Sequence, residues 1–161
     1  MTTIIKVILK RIFLPGITAT TAMTAFSYGA SYVRKNTFKE PEHLNRLFVH
    51  PRQKKVNRPP IVGFLLHYFV GVWFSALYHS LWRRIKSPSW TGGVAFGGLC
   101  GLLGAGVWKV TFAAHPKPPR INLSSYLLHI VIAHIIFGMF LEKTDRLVGK
   151  KGGNMPYEQA D

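Results

Sequence analysis

The chain is written in blocks. Long apolar stretches alternate with short basic segments that carry prolines. The apolar residues do not recur with the period of a helix that keeps one wet face, which is the membrane pattern. Four stretches, 15–33, 61–82, 91–113 and 122–141, are predicted as spanning helices. A bilayer core of roughly 30 Å needs about 20 apolar residues at about 1.5 Å each. The expected fold is all-α, a four-transmembrane-helix bundle over 15–148, with a basic interfacial segment at 1–14, a basic loop at 34–60 and a polar tail at 149–161.

The blocks differ in size of residue. In the third, Gly93, Gly97, Gly101 and Ala105 recur every fourth position and share one face. In water each such glycine costs about 1 kcal/mol relative to alanine. In lipid the same row lets a second backbone come close, and unsatisfied backbone groups forbid anything but helix. The first block is diluted by Thr18, Thr20, Thr21, Thr24, Ser27 and Ser31. Their hydroxyls can bond back to carbonyls of the preceding turn, which makes them tolerable in lipid. Gly16, Thr20 and Thr24 make its small face. The second and fourth blocks are bulky, and Tyr78, Trp82 and Trp90 fit an interfacial belt. The natural bundle brings the two small helices together at the centre, with the bulky ones outside.

The segments between carry less. Residues 1–14 fit a short helix in the headgroup region or simply the first turns of helix one. Within the basic loop, Pro41–Phe48 can form one or two turns of surface helix, with Leu44, Leu47 and Phe48 dipping into the interface.

Two parts of the chain echo each other. His50-Pro51, Pro59-Pro60 and Leu65-Leu66-His67 precede or open the second span; His115-Pro116, Pro118-Pro119 and Leu127-Leu128-His129 stand likewise at the fourth. Two tandem helical hairpins, small helix then bulky helix, account for this. They would be related by an axis along the membrane normal, with His67 and His129 at equivalent depth.

Charge changes the picture only at the edges. Across 161 residues, 48% hydrophobic, the formal net charge is +15, but the basic residues flank the apolar blocks. That placement suits anionic lipid headgroups rather than nucleic acid. Basic residues are nearly tied on the two sides, so the positive-inside rule does not decide orientation. The compact turn at Arg83-Arg84 and Lys86 is hard to translocate, which puts both termini in the cytoplasm. Cys100, the single cysteine, makes no internal disulfide.

His67 and His129 are the sharpest candidates for chemistry, since a histidine within hydrocarbon is a functional hypothesis by default. Two readings stand: interhelical hydrogen bonds to hydroxyls or carbonyls, or axial ligation of a haem b iron. His134 is five residues on from His129 and points to another face, so the pair is not a spaced metal site. Lys109 either snorkels to the interface or, with Lys117 and Arg120, meets a headgroup phosphate. No acidic residue falls inside a predicted span, which leaves no carboxylate there for a proton relay or cation site. No enzyme signature is present, neither G-x-S-x-G, H-E-x-x-H, P-loop nor C-x-x-C.

With Ala19-Thr20 and Met23-Thr24 in the first span, His67 and Gly71 in the second, glycines in the third, and His129 and Gly138 in the fourth, the chain resembles small bacterial inner-membrane proteins of the YagU-like kind. It departs from them in the long basic loop, the Arg83-Arg84 turn and the H-P and P-P pairs. The resemblance implies a four-span architecture in the bacterial inner membrane and transfers no catalytic residue. The expected role is structural or accessory: a subunit of a larger membrane complex, a homo-oligomer or a lipid-interacting bundle, without cofactor and not an enzyme. The alternatives are a small transporter or channel acting as an oligomer, and a haem b electron carrier.

Overall fold

A computed structural model describes residues 5, 8–35, 37–48, 60–82, 89–116 and 118–151. Five α-helices account for it: α1 Leu14–Arg34, α2 Glu40–Phe48, α3 Ile61–Trp82, α4 Trp90–Ala114 and α5 Leu123–Lys151. No strand occurs among the described residues. Three of the helices, α3, α4 and α5, are long and apolar enough to cross a membrane. At 21 residues α1 is the shortest of the four long helices, and its threonines and serines dilute it.

Among the described residues, the chain is already helical where it enters helix one. Leu9–Phe13 forms a π-helical turn that runs directly into α1. Pro15 has no N–H to donate there. A hydroxyl from another helix meets a carbonyl at this junction: Ser75 Oγ donates to the Ile12 carbonyl at 2.8 Å. Along α1 the hydroxyls turn inward on their own helix. Thr20 donates to Gly16 (2.7 Å), Thr21 to Ile17 (2.8 Å), Thr24 to Thr20 (2.7 Å) and Ser31 to Ser27 (2.7 Å).

The long helices pack in the order α3, α1, α5, α4, each mainly on its neighbours in that row. The two small-residue helices therefore do not meet at the centre, as the spacing of their small residues suggests. Each spends its small face on a bulky helix. Gly93, Gly97 and Gly101 press on α5, where a methyl would lie 2.7 Å from the Gly138 carbonyl, on the His134 carbonyl, and 2.8 Å from the Val131 Cα, respectively. Ala105 prolongs the row against the cluster of Phe38, Phe112, Tyr126 and Ile130. Gly16 presses on α3, 2.9 Å from the Val72 Cα by the same measure, and Thr20 fills the space that Gly71 leaves open. A small face gains more from a large neighbour with a glycine notch than from a second small face, because close approach then also fills volume.

These contacts set a register between the hairpins α1/α3 and α4/α5. Gly16 and Thr20 oppose Gly71 and Ser75, as Gly93 and Gly97 oppose Gly138 and Glu142. His67 meets Thr24, and His134 meets Gly101. In packing, then, His67-x-x-x-Gly71 corresponds to His134-x-x-x-Gly138. The motif register of H-P, P-P and L-L-H pairs His67 with His129 instead.

Two connections add to the bundle. The amphipathic α2 is no surface helix: Glu40, His43, Asn45 and Leu47 are buried. Its start lies so close to α3 that a methyl on Gly63 would run into the Pro41 carbonyl. The His43 ring reaches across to Trp108, Phe112 and Tyr126, at centroid distances of 6.2, 6.3 and 5.0 Å. Further on, α5 runs past residue 141 to Lys151 and takes in Glu142, which is buried and bonded by Arg146 Nε at 3.1 Å. Asp145 lies 3.7 Å from Arg11 and 3.9 Å from His79.

Candidate functional site

Helices α3 and α4 touch at one end and part at the other. Tyr78 of α3 and Phe96 of α4 meet edge to face at 5.1 Å. Beyond them the helices diverge around a cleft of about 250 Å³. Phe74 and Phe137 line it towards the closed end; Val70, Leu103 and Val107, all exposed on the apolar outer surface, stand at its mouth. Its far end is covered by α2 through Glu40 and Leu44, with Trp108 beside them. Gly71 and Gly104 keep the walls thin. The cleft is apolar apart from Thr111 and three titratable side chains: His67, His134 and Glu40.

The hydrogen bonds fix what the two imidazoles offer. Thr24 has given its hydroxyl proton to the Thr20 carbonyl, so its oxygen accepts from His67 Nε2–H at 3.1 Å. His67 Nδ1 is then left with a lone pair. His134 Nδ1–H donates to the Ile130 carbonyl at 2.8 Å, which leaves Nε2 as an acceptor. Both rings are neutral acceptors at the cleft wall.

Glu40 is 2% exposed. Its Oε1 accepts from the Ser27 hydroxyl at 3.2 Å, while Oε2 is buried without a hydrogen-bond partner. Burial pushes its carboxyl up to about 8, against the opposing pull of its own backbone amide and the Ser27 hydroxyl. At neutral pH the side chain therefore carries a proton. Burial also holds His43 below the usual histidine range; its Nε2–H donates to the Thr37 carbonyl at 3.1 Å.

His129 belongs to a different place. Its ring is stacked between Phe26 (5.3 Å) and Phe38 (4.3 Å), and its Nε2–H donates to Ser27 Oγ at 2.9 Å. Ser27 thus donates a hydrogen bond to Glu40 and accepts one from His129. A histidine that points its N–H at a serine oxygen cannot deprotonate it, so this trio is not a primed nucleophile. Its chemistry is that of a hydrogen-bonded chain leading from α5 through α1 to the carboxyl at the cleft.

The sequence candidates scatter accordingly. His67 and His129 bond to hydroxyls three residues apart on α1, a difference in level of about 4.5 Å. They do not share a cavity: His67 lines the cleft, and His129 is closed between two phenyl rings. His134, set aside by spacing along its own helix, is the imidazole that joins His67 there. No group of three or more His, Cys, Asp or Glu with metal-holding geometry occurs among the described residues. Lys109 and Arg120 are exposed, and Lys117 lies outside the described residues. Glu40 was missed because it falls outside every predicted span. The one signal for it is its place, with Pro41, at the head of an amphipathic stretch. Searches of family models, curated proteins and solved structures return no match to this chain.

Proposed function

We propose that this is a four-span integral membrane protein that holds a small lipophilic molecule within the bilayer. In this reading α1 is the fourth span. The back-bonded hydroxyls support it, since Thr20, Thr21, Thr24 and Ser31 keep no proton that water must satisfy. So does its place between α3 and α5, two helices apolar enough to cross. Both termini then lie on one side of the membrane.

The observation that carries the reading is the cleft. It is concave, largely apolar and open towards the outer face, with a few polar groups set into its wall, the usual make-up of a small-molecule site. A bundle serving only as scaffold gains nothing from setting three titratable side chains, two of them buried, around one cleft, since burying such groups is costly.

Two measurements test this. Single cysteines at Thr2 and Thr37, in a Cys100→Ser background, should label from opposite sides of the membrane; labelling from one side removes α1 as a span. Protein purified in mild detergent should yield, on solvent extraction and mass spectrometry, a lipophilic compound near one per chain. Gly104→Leu, which puts a side chain into the cleft, should lose that compound and still purify as a folded protein. Equal recovery from both proteins would refute the reading.

A further inference from the structure

The two imidazoles at the cleft, and the Glu40 carboxyl once it has released its proton, receive hydrogen bonds rather than give them. His67 and His134 have spent their protons on Thr24 and Ile130. Glu40 has one oxygen committed to Ser27 and one uncommitted. Neither lysine nor arginine lines the cleft among the described residues, although the chain is strongly basic. Phe74, Trp108 and Phe137 add aromatic rings. An ammonium group answers this set: it has three donors and no acceptor, it is attracted to aromatic faces, and it supplies the charge that a buried carboxylate lacks. A carboxylate ligand would find no cation, and a carbonyl ligand would find as donors only the Glu40 proton and the Trp108 indole N–H.

We propose that the cleft takes a lipophilic amine as its ammonium ion, and that Glu40 gives up its proton to form the ion pair. This rests on the cleft being a ligand site, as proposed above. The exchange is balanced: the neutral carboxylic acid of Glu40 and a primary alkylammonium ion become a carboxylate–ammonium pair, and one proton leaves to solvent. His67 and His134 accept hydrogen bonds from the same headgroup or from the ligand body next to it. The titratable groups about Glu40 are Tyr28 of α1, Tyr126 and His129 of α5, and His67 and His134 at the cleft wall. On its own helix stand His43, Arg46 and Glu42, the last paired with Lys39. The cleft residues of α4 include no titratable group.

The test uses the full chain in phosphatidylcholine nanodiscs, with octylamine as probe and octanol and octanoate as its uncharged and anionic counterparts. Empty discs of the same lipid correct for partition into the bilayer. Octylamine should bind saturably and more tightly than octanol or octanoate. Its apparent Kd should rise about fifty-fold from pH 8 to pH 6, because the carboxyl that must ionise titrates near 8. Calorimetry in buffers of different ionisation enthalpy should show close to one proton released per amine at pH 6.5, a measurement that needs no variant. Glu40→Gln should abolish both the amine preference and the pH dependence. Adding phosphatidylethanolamine to the discs separates the sources of the headgroup: octylamine weakened severalfold points to an aminolipid, unchanged affinity to a free amine. Octanol or octanoate binding as well as octylamine, or octylamine binding without proton release, overturns this proposal and leaves the ligand site standing. Saturable binding of none of the three removes the ligand site as well.

Discussion

In α4 the face turned to its partner is glycine; in α1 the equivalent face begins with glycine and goes on with threonine. The two hairpins share a register, yet the α4/α5 pair brings backbone to backbone along its whole glycine row, whereas the α1/α3 pair does so at Gly16 and then brings a hydroxylated side chain into a glycine notch. The glycine interface has little left to adjust. The threonine interface can adjust, and it also does a second job: Thr24 and Ser27 of α1 hold His67 and His129. One hairpin is built for closeness, the other for placing polar groups. The connections diverge in the same sense. The α4–α5 connection is short, whereas the α1–α3 connection carries α2 and delivers Glu40 to the cleft.

The glycine interface should be the harder one to alter. At Gly138 a Cβ would fall on the Gly93 carbonyl and lie 2.8 Å from the backbone of Gly97. None of these atoms belongs to a side chain that could swing away. Gly138→Leu should therefore separate α4 from α5 and leave no monodisperse protein in detergent, a cost beyond the roughly 1–3 kcal/mol typical of overpacking. Gly106→Leu is the control, since a Cβ there meets nothing within 4 Å. It should purify as the parent does. Equal behaviour of the two variants, judged by gel filtration, would mean that the α4/α5 contact is not what holds the bundle.

The second expected effect comes from the hairpin with the long connection. The Glu40 carboxyl titrates near 8 in the folded chain, against an ordinary value of 4.5. Between those values the folded state binds a proton that the unfolded state has released. Stability from this group should therefore be full below about pH 4.5 and fall as pH rises to about 8, then level off. The slope is up to about 1.4 kcal/mol per pH unit, or roughly 4 kcal/mol across three units. Glu40→Gln carries no such charge. The difference in thermal midpoint between Glu40→Gln and the parent should widen steadily in favour of the variant from pH 5 to pH 8. A constant difference would show that the carboxyl is not buried as a neutral acid.

Much of this architecture was legible in the sequence, and the failures have one cause. Block length and apolarity mark α3, α4 and α5, since nothing else calls for that many uninterrupted apolar residues. The fourfold rows mark which faces are small. Neither says which helix a small face will meet, because that depends on volumes across the interface; hence Gly97 faces α5 and not α1. The polar site was half legible for the same reason. A lone histidine in an apolar run announces itself, so His67 stood out. Whether His129 or His134 joins it depends on how α5 is rotated, and that is set by the glycine contacts at Gly93, Gly97 and Gly101. Glu40 lies in a basic, proline-bearing segment whose composition reads as solvated loop. Only the folding of α2 back onto α3 takes it out of water.

The smallest effect expected is the most direct probe of the contrast between the interfaces. A Cβ on Gly71 would collide with Thr20 Oγ1 and lie 3.1 Å from Thr20 Cβ, and only that threonine stands in the way. Gly71→Ala should destabilise the bundle by roughly 1–3 kcal/mol, the usual cost of an extra methyl in a packed core. Thr20→Ala removes the colliding oxygen. It forfeits only a bond to the Gly16 carbonyl, an acceptor with a second lone pair for its helical bond. The double change Gly71→Ala with Thr20→Ala should therefore recover most of the lost thermal midpoint, as coupled neighbours do in a double-mutant cycle. Gly138→Ala has no such remedy, because its neighbours Gly93 and Gly97 carry no side chain to cut back. If the Thr20 change leaves Gly71→Ala as unstable as before, α1 and α3 meet through rigid backbone at Gly71 as they do at Gly16, and the two hairpins differ in sequence but not in how they hold together.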